Sequence, residues 1–513
     1  MSGAATTYDE VPYLSKPLFS THPDLLAAAG RLRGLKTPSP SNCRVLELGC
    51  AAGGNLIPMA YALPESRFVG IDLSTKQIED GQALCRQLEL QNIKLSATSI
   101  ADIDESFGQF DYIICHGVYS WVPPAIQERI LWICRHLLSP NGVAYISYNT
   151  YPGWHLRSIV RDLMKFHAAR FEDPSVKVQQ ARSILSFMAE ASASLNSPLS
   201  RVLAEEADDL PDAADYYLFH EHLEDHNQPL YFHEFVARAR QAGLEYVGEA
   251  WHHTHIDNLP PEVQETLQAI SRDLIDLEQF VDFIRSRTFR RTLLCHSENQ
   301  IVQTPPPSVM DDLFITTLVR PQSDTPDIGS DAVEKFVLDN GTTASTNAPV
   351  LKVALVTLFE RWPQAVAFHD LLAAVVSRLN LAGDAADATR PLLTSFLAQG
   401  YVSHLVAVHC EPFRLTTTVT ERPRASRLVR VLAASQTTVP NLRHRLIALP
   451  PLAKVVASLA DGTRTSEQIA SEAGRLEPEL IDEQLKMGGD QTTAETVIRQ
   501  TLNQLARSAI LEA

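Results

Sequence analysis

The chain has 513 residues, 45% of them hydrophobic and 20% charged, with a formal net charge of −17. That length exceeds one ordinary core, so two to four domains are expected. The acidic balance argues against sequence-independent DNA or RNA binding, which needs a cationic face, and no run of about 18 apolar residues suits a membrane span.

Residues 1–40 read as a lead-in, with Tyr8 and Tyr13, a helical stretch near 23–35 and the loop TPSPSN. From Arg44, strands and helices alternate. RVLEL at 44–48, RFVGID at 67–72, residues 93–98, FDYIICH at 110–116 and VAYISY at 143–148 are the strands. Helices are expected at 53–63, from a Ser74 cap to about Leu90, and at 124–138, with SPNG at 139–142 as a turn. Apolar strands alternating with helices imply a parallel sheet covered on both faces, with ligands at the edge where the strands end. Residues 152–226 are helix formers without a convincing strand. The alternation resumes with a helix at 231–241, a strand at 244–250, a helical piece at 262–285 and a short strand at 292–296. A seven-stranded, Rossmann-like α/β sheet with two helical insertions follows.

QTPPPS at 303–308 reads as a linker to a separate, mainly helical region. There Asp339-Asn340-Gly341 marks a hairpin between EKFVL and TTAST. Helices are expected at 350–361, 369–379 and 392–399, then YVSHLVAVH as a strand, and a similar order at 452–459, 466–474 and 493–509. Winged-helix-like modules fit this order. The division is a lead-in at 1–40 closing the ligand site, the first part of the core at 41–151, a helical lid at 152–228, the rest of the core with its second insertion at 229–300, and a C-terminal region at 310–513.

The motif VLELGCAAGGN, Val45 to Asn55, follows a strand and opens a helix. Gly49 permits a tight turn and close backbone approach, and Gly53 or Gly54 lets the helix pack near a ligand. The G-x-x-x-G spacing departs from the dinucleotide G-x-G-x-x-G, which points to a compact zwitterionic ligand. Glu47 is placed near its cationic end, with Cys50 and Asn55 on the loop. Asp72, ending the second strand, suits ribose hydroxyls, and Leu73 suits an adenine face. Ser99 and Ile100, after the third strand, suit a base edge. His116 to Val122, after the fourth, face the reacting end.

These segments, in this order, resemble the class I S-adenosylmethionine-dependent methyltransferases. A closer likeness covers nearly the whole chain. YDEVPY, THPDLLAAAGRLRGL, HGVYSWVP, YNTYPGW, HEHLEDHNQPLYFHEF and EQFVDFIRSRTFRRTLLCH are similar to the bacterial protein lysine methyltransferases that carry a methyltransferase regulatory domain. The resemblance implies S-adenosylmethionine as cofactor and a lysine-bearing protein as acceptor, its characterised members methylating outer-membrane proteins. Many members have an acid where Ser99 stands, which leaves the adenine amino group to Asp102 or backbone.

Methyl transfer from a sulfonium is an in-line displacement governed by positioning and desolvation. Apolar and aromatic walls lower a lysine's pKa. Tyr119, Trp121, Tyr148, Tyr151 and Trp154 are the candidates for such a wall, with Tyr8 and Tyr13 closing it and His116 the local proton acceptor. Alternatives are a small-molecule O- or N-methyltransferase and, from another class, a cofactor-sensing DNA-binding regulator. HEHLEDH at 220–226 and the histidines at 252, 253 and 255 match no zinc spacing, so no metal is expected and solvated positions are favoured. Arg285, Arg287, Arg290 and Arg291 read as a solvated basic face. Seven cysteines without a CxxC pair, and no leader-like start, point to reduced thiols in a cytoplasmic protein. For the C-terminal region, substrate docking or self-association as a homodimer is the expected role.

Overall fold

Seven strands make the central sheet: β1 (Arg44–Leu48), β2 (Arg67–Asp72), β3 (Ile93–Ala97), β4 (Phe110–Cys115), β5 (Leu138–Asn149), β6 (Leu244–Glu249) and β7 (Phe289–His296). The computed structural model describes the chain except residues 1–10, 12, 14, 211–212, 251–255, 257–258, 303–306, 318, 339–340, 342 and 489–492. The strand order is β3-β2-β1-β4-β5-β7-β6. β1 to β5 run parallel, and β7 is antiparallel to both β5 and β6. The order reverses between β1 and β4, which opens a crevice at their carboxyl ends.

The strands are apolar because both faces are covered. Val45, Tyr112 and Tyr145 join one buried cluster, and Leu46, Ile113 and Ile146 join the opposite one. Helices α1 (Pro23–Arg31), α2 (Leu56–Ala62), α3 (Thr75–Leu88) and α4 (Pro124–Leu137) supply the cover. The Ser74 hydroxyl accepts the Gln77 amide at 3.2 Å and starts α3, as expected. SPNG is not a free turn but lies inside β5. Leu138 pairs with Phe110 and Val143 with Tyr112, so the intervening residues bulge, with Ser139 bonded to Asp111 at 2.9 Å.

The described part of the large insertion holds helices and no strand: α5 (Gly153–Ala168), α6 (Pro174–Ser192), α7 (Pro198–Asp209), α8 (Asp215–Leu218) and a wide turn at Phe219–Leu223. Val160, Met164, Leu185, Leu203 and Leu218 give it a core of its own. After α9 (Phe232–Gln241), the second insertion is two helices, α10 (Pro261–Ile270) and α11 (Leu274–Arg285). Asp273 breaks the run by capping the Asp276 amide at 2.9 Å.

Two clusters expected at the surface are buried in part, although Arg285, Arg287 and Arg291 are half-buried and His226 is exposed. Arg290 is fully enclosed, with its guanidinium on Glu249 (3.0 Å), Glu278 (2.8 Å) and Asp282 (2.8 and 2.9 Å), so the acidic partners of this basic run lie within the chain. His220 and His222 are also buried, and His220 Nδ1 meets Glu224 at 2.9 Å. The histidines at 252, 253 and 255 lie outside the described residues.

The C-terminal region holds two helix-and-strand units. In the first, β8 (Phe314–Thr317) pairs with short strands at Val366–Ala367 and Val406–His409, beside helices Pro349–Arg361, Phe368–Arg378 and Asp384–Val402. The hairpin expected near residue 340 forms between Glu334–Val337 and Thr343–Thr346; Asp339 and Asn340 lie outside the described residues. The second unit closes the chain with a hairpin at Thr438–Pro440 and Leu446–Ala448 and four helices from Pro451 to Arg507. The region is not separate from the sheet. Ile315, Val353 and Leu393 belong to the same apolar cluster as Val45, Tyr112 and Val143, and the buried Asp24 carboxylate of α1 meets His409 at 2.6 Å. Among the described residues no helix is long and apolar enough to cross a membrane, no group of three ligating side chains is placed for a metal, and the seven cysteines are free.

Candidate active site

The glycine loop after β1 is the hub of the crevice. Gly49 and Cys50 both donate their amides to the Ile71 carbonyl at 2.9 Å, which ties the loop to β2. Gly49 has φ +76°, and a Cβ there would lie 2.5 Å from Val118 on the loop after β4. Gly54 lies against the N-terminal segment: its amide donates to the Ser15 hydroxyl at 2.6 Å, and a Cβ would run into the Ser15 carbonyl. Gly53, with φ +73°, faces Leu95 of β3. Cys50 is buried, its sulfur close under Gly70 of β2.

Asp72 closes the same corner. One carboxylate oxygen accepts the Ala51 amide at 2.8 Å and the other the Ser74 amide at 2.9 Å. Leu73 beside it is 63% exposed, unusual for a leucine in this core. The Ser99 hydroxyl accepts the Ala101 amide at 3.2 Å and caps the short turn at Ile100–Asp102, so Ser99 and Ile100 sit half-buried at the β3 end while Asp102 is exposed.

Glu47 is buried near the end of β1. One oxygen accepts Asn55 Nδ2 at 2.8 Å, while the other is buried without a partner. Burial pushes its carboxyl up to about 8, although the Asn55 bond pulls the other way. Asn55 bonds further to the Leu18 amide (2.9 Å), to Thr21 (3.0 Å) and to His444 Nε2 (2.8 Å). Ser15, Leu18 and His444 lie in none of the recognised segments, and Thr21 only opens the THPDLLAAAGRLRGL stretch with no role assigned to it.

On the loop after β4, His116 Nδ1 meets the Tyr145 hydroxyl at 2.9 Å. Burial first, then Arg291 and Lys16, push its imidazole down to about 3. Trp121 stands edge-on to the buried Trp154 at 6.3 Å, and Tyr151 stacks on His155 at 4.0 Å with Tyr231 behind it. Tyr119 and Tyr148 do not join this wall. Both are fully buried against Phe235, at 5.3 and 4.0 Å. Tyr13 is 38% exposed and packs on Tyr216 (5.1 Å) and His220 (6.0 Å) of the insertion. Tyr8 lies outside the described residues.

The chain matches three family models: a "Methyltransferase domain" over residues 39–190, a "Predicted methyltransferase regulatory domain" over 214–296, and a "PKMT, C-terminal winged helix domain" over 421–512. An uncharacterized protein of Rickettsia prowazekii is 36% identical over 474 residues, covering 90% of this chain and 84% of that one. The chain belongs to the S-adenosylmethionine-dependent methyltransferases that carry a methyltransferase regulatory domain. A second Rickettsia prowazekii protein, also uncharacterized, is 41% identical over 235 residues, 46% of this methyltransferase and 94% of that protein. Among solved structures, PKMT2 from Rickettsia typhi in complex with AdoHcy superposes with a TM-score of 0.85 at 29% identity, over 98% of this methyltransferase and all of that chain. The regulatory-domain match spans the end of the large insertion, β6, α11 and β7, so that part is built into the sheet.

Proposed function

We propose that this methyltransferase transfers the methyl group of S-adenosylmethionine to the side-chain nitrogen of lysines in protein substrates. The observation that carries the reading is the full-length likeness to PKMT2, which extends through the C-terminal winged-helix unit rather than stopping at the catalytic sheet. The residues of the crevice fit the cofactor. Glu47 keeps a buried, unpartnered oxygen where an ammonium would satisfy it. At Gly49 and Gly54 the loop leaves no room for a side chain. Asp72 suits ribose hydroxyls, Leu73 an adenine face, and Ser99 and Ile100 the base edge; Gly49, Cys50, Gly53 and Asn55 form the loop, and Tyr8 and Tyr13 belong to the closing segment.

S-adenosylmethionine supplies an activated methyl group on a sulfonium. The chain's part is to orient the amine, exclude water and favour its neutral form. Trp121, backed by Trp154, offers a face that disfavours a charged ammonium by desolvation. His116 is not suited to take the lysine's proton. Passing a proton from an ammonium that titrates at about 10 to an imidazole pushed down to about 3 runs strongly uphill. His116 is better used neutral, bonded to Tyr145 and shaping the reacting end of the site, while the lysine sheds its proton to water before it is enclosed.

Incubation of the protein with S-adenosylmethionine and lysine-rich protein acceptors, read by intact-mass and peptide mass spectrometry, tests the proposal. Added methyl masses localised to lysines support it. Methylation of small amines or phenols with none on any protein acceptor overturns it.

A further inference from the structure

The hairpin of the C-terminal winged-helix unit ends at the glycine loop. Its turn is rigid before it arrives. The Asn441 side-chain oxygen accepts the Arg443 and Arg445 amides, both at 3.0 Å, and its amide nitrogen donates to the Ser508 carbonyl at 2.9 Å. This turn holds His444 at φ +57° and aims its buried ring inward. Three successive side chains then dock on three parts of the protein. Arg443 lies over Trp362 at 4.0 Å, Arg445 over Phe19 at 3.7 Å, and His444 Nε2 bonds Asn55 at 2.8 Å.

Asn55 is thereby used to its full hydrogen-bonding capacity. Its oxygen accepts the Leu18 amide and His444 Nε2. Its two N–H bonds go to Thr21 and Glu47. His444 must carry its proton on Nε2 to donate, and its Nδ1 has no hydrogen-bond partner. The amide of Asn55 therefore points at Glu47 in one orientation only. A flipped amide would set its nitrogen against the donating Leu18 amide and leave that N–H without its acceptor.

We propose that His444 is a positioning residue for cofactor binding, which makes the C-terminal winged-helix unit part of the cofactor site and couples its docking to cofactor affinity. The inference rests on Glu47 and the glycine loop receiving the cofactor. A partner that draws the hairpin away weakens cofactor binding, and by linkage the cofactor tightens the hairpin against the core.

Two measurements on the full-length protein test this. The first is calorimetric titration of His444→Phe and His444→Gln with S-adenosylhomocysteine, beside thermal unfolding. Phenylalanine keeps the ring and removes the donor; glutamine keeps a donor; both share the same backbone strain. Tenfold or greater weakening in the phenylalanine variant, with at most about threefold in the glutamine variant, is expected. Equal affinities for all three proteins, or equal losses in both variants, overturn the proposal. The second needs no variant and holds if substitution prevents folding. Adding S-adenosylhomocysteine to the wild-type protein is expected to slow amide exchange both in residues 49–56 and in the 438–448 hairpin. Protection of the glycine loop with none in the hairpin refutes the coupling alone, and protection of neither refutes the site assignment beneath it.

Discussion

The carboxylate of Asp72 accepts the amide of Ala51 at 2.8 Å, so the acid that ends β2 also fixes the turn of the glycine loop. Ala51 sits at φ 49°, a conformation that needs such a tether. Asp72→Ala removes both this tether and the acid proposed to receive the ribose hydroxyls. We expect the variant to stay folded and to bind S-adenosylmethionine at least tenfold more weakly by calorimetry. Asp72→Asn keeps one acceptor oxygen and should fall between the two. Unchanged affinity in the alanine variant would remove Asp72 from the site.

Glu47 predicts a proton-linked binding step. With its carboxyl pushed up to about 8 by burial, the group is mostly protonated at pH 7 in the absence of cofactor. An arriving ammonium favours the carboxylate, so binding expels a proton. Titrations at pH 7 in buffers of different ionisation enthalpy should show release of nearly one proton, and affinity should rise with pH towards about 8. Above that, the ligand's own amino group loses its charge and affinity declines. The sign for stability is opposite to that of a salt-bridged acid. The folded state holds a proton that the unfolded state has already lost, so this group lowers stability as pH rises from about 4.5 to 8. Glu47→Gln should flatten that slope and abolish the proton release. Buffer-independent binding enthalpies in the wild-type protein would contradict the assignment.

What the sequence made legible follows from how local each signal is. The strands of the sheet announced themselves as short apolar runs, and the glycine loop, Asp72 and Ser74 lie next to strands that the period identifies. The loop's other partners come from far along the chain. Nothing in PNLRHRLI marks His444 as a neighbour of Asn55, 389 residues away. Nor does the pattern around Arg290 disclose its burial, because a charged residue in an alternating run looks solvated unless its carboxylate partners are already in place. The aromatic candidates part ways in the fold for the same reason. Tyr119 and Trp121 are two residues apart on one loop, and only packing against Phe235 sends the first inward.

Gly54 tests the closing role of the N-terminal segment. A methyl group there meets the Ser15 carbonyl, and backbone cannot yield as a flexible side chain can. Gly54→Ala should release the segment before α1 from the loop. Limited proteolysis is expected to cut near residues 10–20 several times faster than in the wild type, with weaker cofactor binding and little change in the unfolding midpoint. Unaltered cleavage would show that the segment is held elsewhere.

The role proposed for Trp121 concerns the acceptor and not the cofactor. Trp121 touches Trp154 and belongs to none of the glycine-loop contacts. Trp121→Ala should therefore leave S-adenosylmethionine affinity within about twofold while lowering methyl transfer to a protein acceptor by one to two orders of magnitude, read as product formed under single-turnover conditions. An equal fall in cofactor affinity would place the ring on the cofactor instead.

Arg290 predicts a stability effect larger than any of these. Its guanidinium lies 3.5 Å over Phe232 and spans Glu249, Glu278 and Asp282, two of which are buried with it. Removing the cation leaves carboxylates in a low-dielectric setting with nothing to neutralise them, and that penalty is what makes a broken buried pair costly. Arg290→Ala should lose about 3–5 kcal/mol in denaturant unfolding. Arg290→Lys should recover only part, because a point charge on a single stem cannot meet three carboxylates in one plane. Since Glu249 stands on β6 and Arg290 on β7, the loss should appear first as faster amide exchange along the β5–β7–β6 edge, with β1 to β4 still protected. A variant as stable as the wild type would mean that water or a shifted Arg287, 3.4 Å from Glu249, takes over the charge.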